Sequence, residues 1–188
     1  MRLHIAVLLV ALCSSNGWCA ETAGRQLRCN IFFSSHGGCT ESVVDTLGKA
    51  KSTVPVQAYS FTSAPIAKAL VEAHRLGVNV QVVLDRSQRT EKYSSATFVY
   101  NSGLPCFIDA QHAIAHNKVM VIDARTVITG SFNFTKAAEE SNAENLLVIQ
   151  DAEMAARYAQ NSNAHRQHSE AYTGLPGNRN EQPRKRQR

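Results

Sequence analysis

The sequence predicts an α/β fold in which a mixed β-sheet is flanked by helices on both faces. Apolar residues at helical spacing alternate along the chain with short runs rich in β-branched residues. One such run, residues 78–84, is apolar at nearly every position, as expected of a strand covered on both faces. The 188 residues, 44% of them hydrophobic, suit one domain with an ordinary core.

Local signals place the individual elements. Thr40 or Ser42 is a candidate N-cap for the first helix, and the second helix lies between Ser63 and Gly77. Residues 118–122 and 126–129 are joined tightly and should pair as a hairpin. The predicted elements are, in order, helix 43–50, strand 54–59, helix 64–76, strand 78–84, helix 90–100, strand 106–109, strands 118–122 and 126–129, strand 146–149 and helix 151–170.

The N-terminal segment, residues 1–20, has the pattern of a secretory signal peptide. A basic start precedes an apolar run at residues 5–13, and small or polar residues follow. Nine apolar residues are too few to cross a bilayer core of about 30 Å, which requires about 20 residues. Cleavage after Gly17 and after Ala20 both remain open. We expect export to the periplasm or the medium, with no stable membrane association afterwards.

The C-terminal segment, residues 178–188, is basic and polar, and we expect it to be a disordered tail behind a domain at residues 21–177. Arg2 and this tail, with its five basic residues and one acidic residue, account for the whole net charge of +5. A basic groove on the domain must therefore come from local arrangement. The tail either attracts phosphates non-specifically or is simply a solvated terminus.

Three cysteines follow the signal segment, and export implies an oxidising compartment. Cys29 and Cys39 are close in sequence and flank a loop-like stretch, so they are the predicted disulfide pair. Cys106 begins an apolar segment, which favours a buried free thiol.

The residues with clear chemical potential lie around the predicted hairpin. Side chains two apart on a strand share a face, so His116 and Lys118 should project together toward one phosphate. On the returning strand, Ser131 and Asn133 offer neutral hydrogen-bond donors. Gly130 before them permits close backbone approach. The pattern indicates a site that binds and attacks a phosphodiester.

The sequence also predicts roles for residues around these four. Asp123 has the opposite parity and should hold local structure rather than contact substrate. Glu144 is the natural carboxylate to orient a histidine and stabilise its cation. Phe61 is the best candidate for stacking on a base, whereas Phe132 and Phe134 should pack in the core.

The sequence offers two metal-binding interpretations, and we expect neither to hold. Asp109, His112, His116 and Asp123 are irregularly spaced, and the Lys118 ammonium would oppose a cation. His165 and His168 lie three apart on the last predicted helix, which a solvated helix face explains. The sequence thus predicts neither a metal nor another cofactor.

The spacing His116-x-Lys118-x4-Asp123-x6-Gly130-Ser131-x-Asn133 resembles the HKD motif of the phospholipase D superfamily. Three further segments, at residues 58–63, 82–85 and 130–139, resemble its branch of small exported bacterial endonucleases. The likeness covers about residues 31–171, nearly the whole expected domain.

The resemblance implies a metal-independent phosphodiesterase that works through a phosphohistidine. One histidine attacks phosphorus, and a second protonates the leaving oxygen and later activates water. Lys118 and Asn133 would hold the phosphate charge, and Glu144 would hydrogen-bond His116. The chemistry needs two motifs, but only one His is followed two residues later by Lys. The resemblance therefore implies a homodimer that joins two copies of His116 in one site.

The resulting expectation is an exported endonuclease of broad substrate range that acts on DNA, with RNA as a second candidate substrate. Two alternatives remain. The first keeps the chemistry but hydrolyses phospholipid head groups, although no amphipathic helix suggests a membrane surface. The second is a catalytically inactive nucleic-acid-binding accessory protein.

Overall fold

The computed structural model describes residues 27–92 and 94–174. The signal segment, the basic tail and the outermost residues of the expected domain lie outside the described residues. The elements are β1 Arg28–Phe33, α1 Cys39–Leu47, β2 Thr53–Ala58, α2 Ala64–Arg75, β3 Asn79–Asp85, α3 Ala96–Asn101, β4 Cys106–Asp109, β5 Lys118–Ile122, β6 Thr126–Gly130, α4 Lys136–Glu140, β7 Asn145–Gln150, α5 Ala152–His168 and β8 Glu170–Ala171.

These strands form one mixed sheet of eight strands in the order β1-β7-β6-β5-β2-β3-β4-β8. β2, β3 and β4 are parallel, since α2 and α3 provide the crossovers between them. The predicted hairpin of β5 and β6 is present, and β5 pairs antiparallel with β2. The carboxyl ends of β2, β3 and β4 therefore share one edge with the start of β5 and the end of β6.

The two faces of the sheet bury separate apolar clusters, which confirms the predicted architecture. Alternate residues of β5 divide between them: Met120 and Ile122 face the cluster beneath α1, α2 and α3, while Val119 and Val121 face α5. On the α5-side face of β1, Ile31 and Phe33 are exposed, and none of the described helices covers them.

Several local predictions differ from the structure. The predicted helix 90–100 is shorter, because residues 86–89 form a 3₁₀ turn and α3 begins at Ala96. Glu139, rather than Thr40 or Ser42, supplies the side chain at the start of α1: its carboxylate accepts from the backbone N–H groups of Gly38 and Thr40. β1, α4 and β8 were not predicted.

The predicted Cys29–Cys39 disulfide is absent, and both residues are free thiols. Cys39 is buried on the α1 side of the sheet, whereas Cys29 packs against the cluster beneath α5, so the sheet separates them. Burial, reinforced by Glu139, raises the pKa of Cys39 to about 11. Burial also raises the pKa of Cys106 to about 12, consistent with its predicted state as a buried free thiol.

Across the described part of the chain, we find no helix that combines the length and the apolar character needed to cross a bilayer.

Candidate active site

His116 and Lys118 lie at the edge of the sheet where β5 begins. β5 starts at Lys118, so His116 belongs to the extended segment before the strand. The backbone N–H of Tyr59 donates to the carbonyl of Asn117 at 2.8 Å, which extends the β2–β5 pairing by one residue. Only Lys118 therefore lies within the strand. The predicted common direction of the His116 and Lys118 side chains depends on the short segment just before β5.

Lys118 is a buried cation, with a relative exposure of 7%. Its Nζ donates to the carbonyl oxygen of His116 at 3.0 Å and lies 5.0 Å from the centre of the Tyr59 ring. Burial lowers the pKa of Lys118, and the charge of Glu144 partly opposes this shift. No carboxylate forms a salt bridge with Lys118 within the described ranges, so an arriving anion would meet a charge that is incompletely balanced.

The His116 side chain is exposed and rests against Tyr59, whose ring centre lies 4.5 Å from that of the imidazole. Asp85, at the end of β3, fixes the preceding segment: its Oδ2 accepts from the backbone N–H of Ala115 at 2.7 Å. Neither Tyr59 nor Asp85 is among the site residues that the sequence predicts. Both adjoin the carboxyl end of a parallel strand, the usual location of ligand sites in α/β sheets, and this signal could have indicated them.

Glu144 does not bond to His116, contrary to the expectation from the family resemblance. Its Oε2 accepts from Ser131 Oγ at 2.6 Å, and its Oε1 accepts from Asn142 Nδ2 at 3.0 Å. The pairing of β6 with β7 explains this arrangement. It brings Ser131, which follows Gly130, beside Glu144, which precedes Asn145. Within one chain, Glu144 therefore orients the Ser131 hydroxyl.

Ser131 and Asn133 lie beyond the end of β6, which stops at Gly130. The Ser131 hydroxyl also accepts from the backbone N–H of Asn145 at 3.0 Å. The Asn133 Oδ1 is buried without a hydrogen-bond partner. An unpaired buried amide group is costly, so Asn133 is held here at the expense of stability.

Gly130 is required by close approach of the neighbouring strand. Its φ is 143°, and a Cβ atom built on it would lie 2.3 Å from the carbonyl oxygen of Asn145. The structure thus bears out the predicted close backbone approach, which brings Ser131 against β7.

Asp123 lies at the opposite edge of the sheet, after the five residues of β5, or roughly 16 Å along the strand from Lys118. Its carboxylate accepts from the backbone N–H groups of Lys51, Ser52 and Thr53. Burial would raise the pKa of Asp123, but these bonds lower it overall. The position gives Asp123 the structural role that the sequence predicted.

The prediction that Phe61 stacks on a base is wrong, because the Phe61 side chain is fully buried. After β2 the chain turns inward, and Phe61 forms a parallel bridge with Phe134. Phe132 and Phe134 are also fully buried, which confirms that they pack in the core. Tyr59 is the aromatic residue that contacts the motif.

The comparisons with known proteins match this fold, and the residues matched by the family model include the motif. Residues 43–166 match the family model described as "Cardiolipin synthase, PLD-like domain", and the chain belongs to the phospholipase D superfamily. The crystal structure of Nuc from Salmonella typhimurium, a phospholipase D family member, aligns with a TM-score of 0.76 at 35% identity, covering 79% of this chain and 100% of that one.

Two curated relatives are longer than the matched region. A phospholipase D of Rickettsia conorii is 43% identical over 129 residues, which are 69% of this chain and 64% of that protein. A mitochondrial cardiolipin hydrolase of Chlamydomonas reinhardtii is 31% identical over 117 residues, 62% of this chain and 52% of that protein. The chain therefore spans less than two thirds of the length of either relative.

Proposed function

We propose that this protein is a metal-independent phosphodiesterase that acts as a non-specific endonuclease on DNA, with RNA as a second substrate. The observation that carries the proposal is the buried ammonium of Lys118, which lacks a carboxylate partner among the described residues. It donates to the backbone carbonyl of His116, and the exposed His116 imidazole contacts the same Tyr59 ring that lies beside the ammonium. A preorganised cation beside a nucleophile suits a reaction at an anionic phosphodiester. The similarity to Nuc, a phospholipase D family member, supports a reaction at a phosphodiester.

The reaction takes place in two displacements. One His116 attacks phosphorus, so a P–N bond forms as the P–O bond to the leaving strand breaks. A second imidazole gives its proton to the leaving oxygen. That imidazole then removes a proton from water, whose oxygen displaces the first His116 and releases the phosphate product. Lys118 and Asn133 stabilise the phosphoryl oxygens. The Ser131 hydroxyl donates its proton to Glu144 and accepts from the backbone N–H of Asn145, so these bonds fix the loop beside the site.

In this proposal, the second imidazole comes from a second copy of the chain. His36, His74, His112, His165 and His168 are not followed two residues later by Lys. Apolar side chains are exposed on edge strand β1, where Ile31 and Phe33 share a face. Phe33 pairs with Asn145, and Ser34 beyond it bonds to the backbone N–H of Glu144. A two-fold contact at this end of β1 would bring two sites together.

Phospholipid hydrolysis is the second candidate, favoured by the names of the curated relatives. It uses the same residues and differs in the group that leaves phosphorus. The expected leader at residues 1–20 would export the protein to the periplasm or the medium, where nucleic acids and lipids are both available. The choice between the two substrates therefore depends on a direct assay.

The test is cleavage of single- and double-stranded DNA, RNA and phosphatidyl vesicles at 25 °C, each with and without EDTA. We expect nuclease activity that persists in EDTA and falls more than about 10³-fold in His116→Ala. His74→Gln is the matched control, because His74 lies in the last turn of α2 at the opposite edge of the sheet. Loss of activity in EDTA would contradict the phosphohistidine mechanism, and turnover of phospholipid alone would contradict the substrate.

A further inference from the structure

A cluster of three imidazoles and one carboxylate lies outside the motif. Asp109 ends β4, His112 follows it in the loop toward β5, and His165 and His168 lie in the last turn of α5. One potential ligand atom from each of the four residues lies within 4.8 Å of the others. The structure contradicts the interpretation of His165 and His168 as a solvated helix face, because their side chains are only 14% and 24% exposed.

The three imidazoles converge on one oxygen atom. Asp109 Oδ2 lies 2.7 Å from His165 Nδ1, 2.9 Å from His112 Nδ1 and 3.2 Å from His168 Nε2. The other carboxylate oxygen is occupied separately, since Oδ1 accepts from the backbone N–H groups of Gln111 and His112. These backbone hydrogen bonds already orient the carboxylate that would bind an ion through its other oxygen.

We propose that Asp109, His112, His165 and His168 form a structural binding site for a divalent transition metal, with zinc as its occupant. Zn²⁺ holds imidazole nitrogen and carboxylate oxygen at about 2.0–2.2 Å, so four tetrahedral ligand atoms lie about 3.3 Å apart. The three separations of 2.7–3.2 Å between Asp109 Oδ2 and the ring nitrogens would expand slightly around the ion. The separations between the nitrogens, which are at most 4.8 Å, would adjust toward the same value. Three imidazoles and one carboxylate are ligands that suit zinc.

The charge and burial of the cluster suit a dication. The Asp109 carboxylate is fully buried, and the nearest groups to its Oδ2 are the three imidazoles. The His112 side chain is 46% exposed and provides a route of entry for the ion.

The site would connect the C-terminal helix to the loop that carries the catalytic histidine. His112 lies four residues before His116 in the segment between β4 and β5. A metal held from α5 would add stability to that segment without contacting substrate. When no metal is bound, the hydrogen bonds between the three imidazoles and Asp109 Oδ2 hold the segment in place, so cleavage does not require the ion. Four protein ligands leave no open coordination position, which is characteristic of structural zinc sites. The proposal is thus compatible with phosphodiester cleavage that uses no metal.

The experiment measures zinc binding by protein that has been treated with EDTA and dialysed free of the chelator. We expect calorimetry to give one Zn²⁺ per chain with a Kd below about 1 µM. At saturating zinc, the Tm should rise by about 5 °C or more. His168→Gln and Asp109→Asn should each weaken zinc binding by at least about 10-fold and reduce the Tm shift.

Two control variants locate the site. His74→Gln and His116→Ala should each bind one zinc ion as tightly as the wild type, because neither side chain belongs to the cluster. Absence of zinc binding below about 100 µM by wild-type protein would overturn the proposal. Unchanged affinity in both His168→Gln and Asp109→Asn would also overturn it, as would loss of binding in His116→Ala alone. Metal content and Tm are read without any nuclease assay, so the result is independent of the proposed substrate.

Discussion

At the scale of single residues, the site combines groups that cost stability with groups that supply it. Lys118 is buried without an ionic partner among the described residues, and Asn133 carries a buried oxygen that lacks a hydrogen bond. Asp123, by contrast, accepts four hydrogen bonds at the far edge of the sheet. These residues belong to one motif, yet substitutions in them should have opposite effects on activity and folding.

Replacing Lys118 by Met should separate catalysis from stability. The substitution removes a buried charge but retains an unbranched side chain, so the free energy of unfolding should stay equal or increase. The turnover number should fall about 10²–10³-fold, because the cation beside the phosphate is lost. Urea denaturation and single-turnover cleavage provide the two measurements. Activity within tenfold of the wild type would show that Lys118 does not contact the phosphate.

Replacing Asp123 by Asn should destabilise the fold by about 1–3 kcal/mol at pH 7 and leave the turnover number unchanged. The folded-state pKa of Asp123 is lowered, so its charge contributes stability above the unfolded pKa of about 3.9. This contribution is lost as the pH falls through the lower folded-state pKa. Urea titrations at pH 7, 4 and 3 should show the difference between wild type and variant shrinking. If the difference in free energy of unfolding between wild type and variant stays constant from pH 7 to pH 3, the stabilising role of the Asp123 charge is contradicted.

At the scale of elements, periodicity predicted most of the sheet and its helices because their apolar faces follow local sequence. The β5–β6 hairpin and the burial of Phe132 and Phe134 could be predicted for this reason. Contacts between segments that are distant in the sequence could not be predicted from local periodicity. The partner of Glu144 depends on the β6–β7 register, and the burial of Phe61 depends on its bridge to Phe134.

The histidine cluster shows the same difference between local pattern and tertiary contact. His165 and His168 have the spacing of neighbours on one helix face, and this local pattern does not tell a solvated face from a covered one. Their partner Asp109 is 56 and 59 residues away in the chain. The antiparallel pairing of β8 with β4 brings the end of α5 to it.

The β6–β7 pairing gives an element-scale prediction at Gly130. Gly130→Ala should destabilise the protein by more than about 2 kcal/mol and reduce activity, because its Cβ would displace the Asn145 carbonyl and move Ser131. Gly77→Ala is the matched control: Gly77 has a φ of 92°, but no atom lies within 4 Å of its added Cβ. This control should lose only about 1–2 kcal/mol and keep full activity. Equal effects of the two variants on unfolding and cleavage would refute the role of close strand approach.

At the scale of the whole molecule, one chain has half of the proposed catalytic machinery and an exposed apolar strand face beside it. Ile31 and Phe33 are 57% and 66% exposed, and Phe33 lies at the site edge of β1. Leu76 is also exposed, but it follows α2 at the opposite edge. If β1 forms the dimer contact, Phe33→Asp should produce monomers in sedimentation experiments, whereas Leu76→Asp should not.

A mixed dimer tests whether one reaction requires two chains. Wild-type and His116→Ala chains carrying different affinity tags can be co-expressed and purified as the heterodimer. If one copy of His116 attacks and the other protonates the leaving oxygen, the heterodimer should retain less than about 1% of wild-type activity. Independent sites would instead leave about half. A heterodimer of wild type with His74→Gln should be fully active, which controls for tagging and exchange. Half activity would refute the shared active site, since a site built from both copies loses an essential group when either imidazole is removed. Failure to capture any mixed species would also refute it, because the shared site requires that two chains associate.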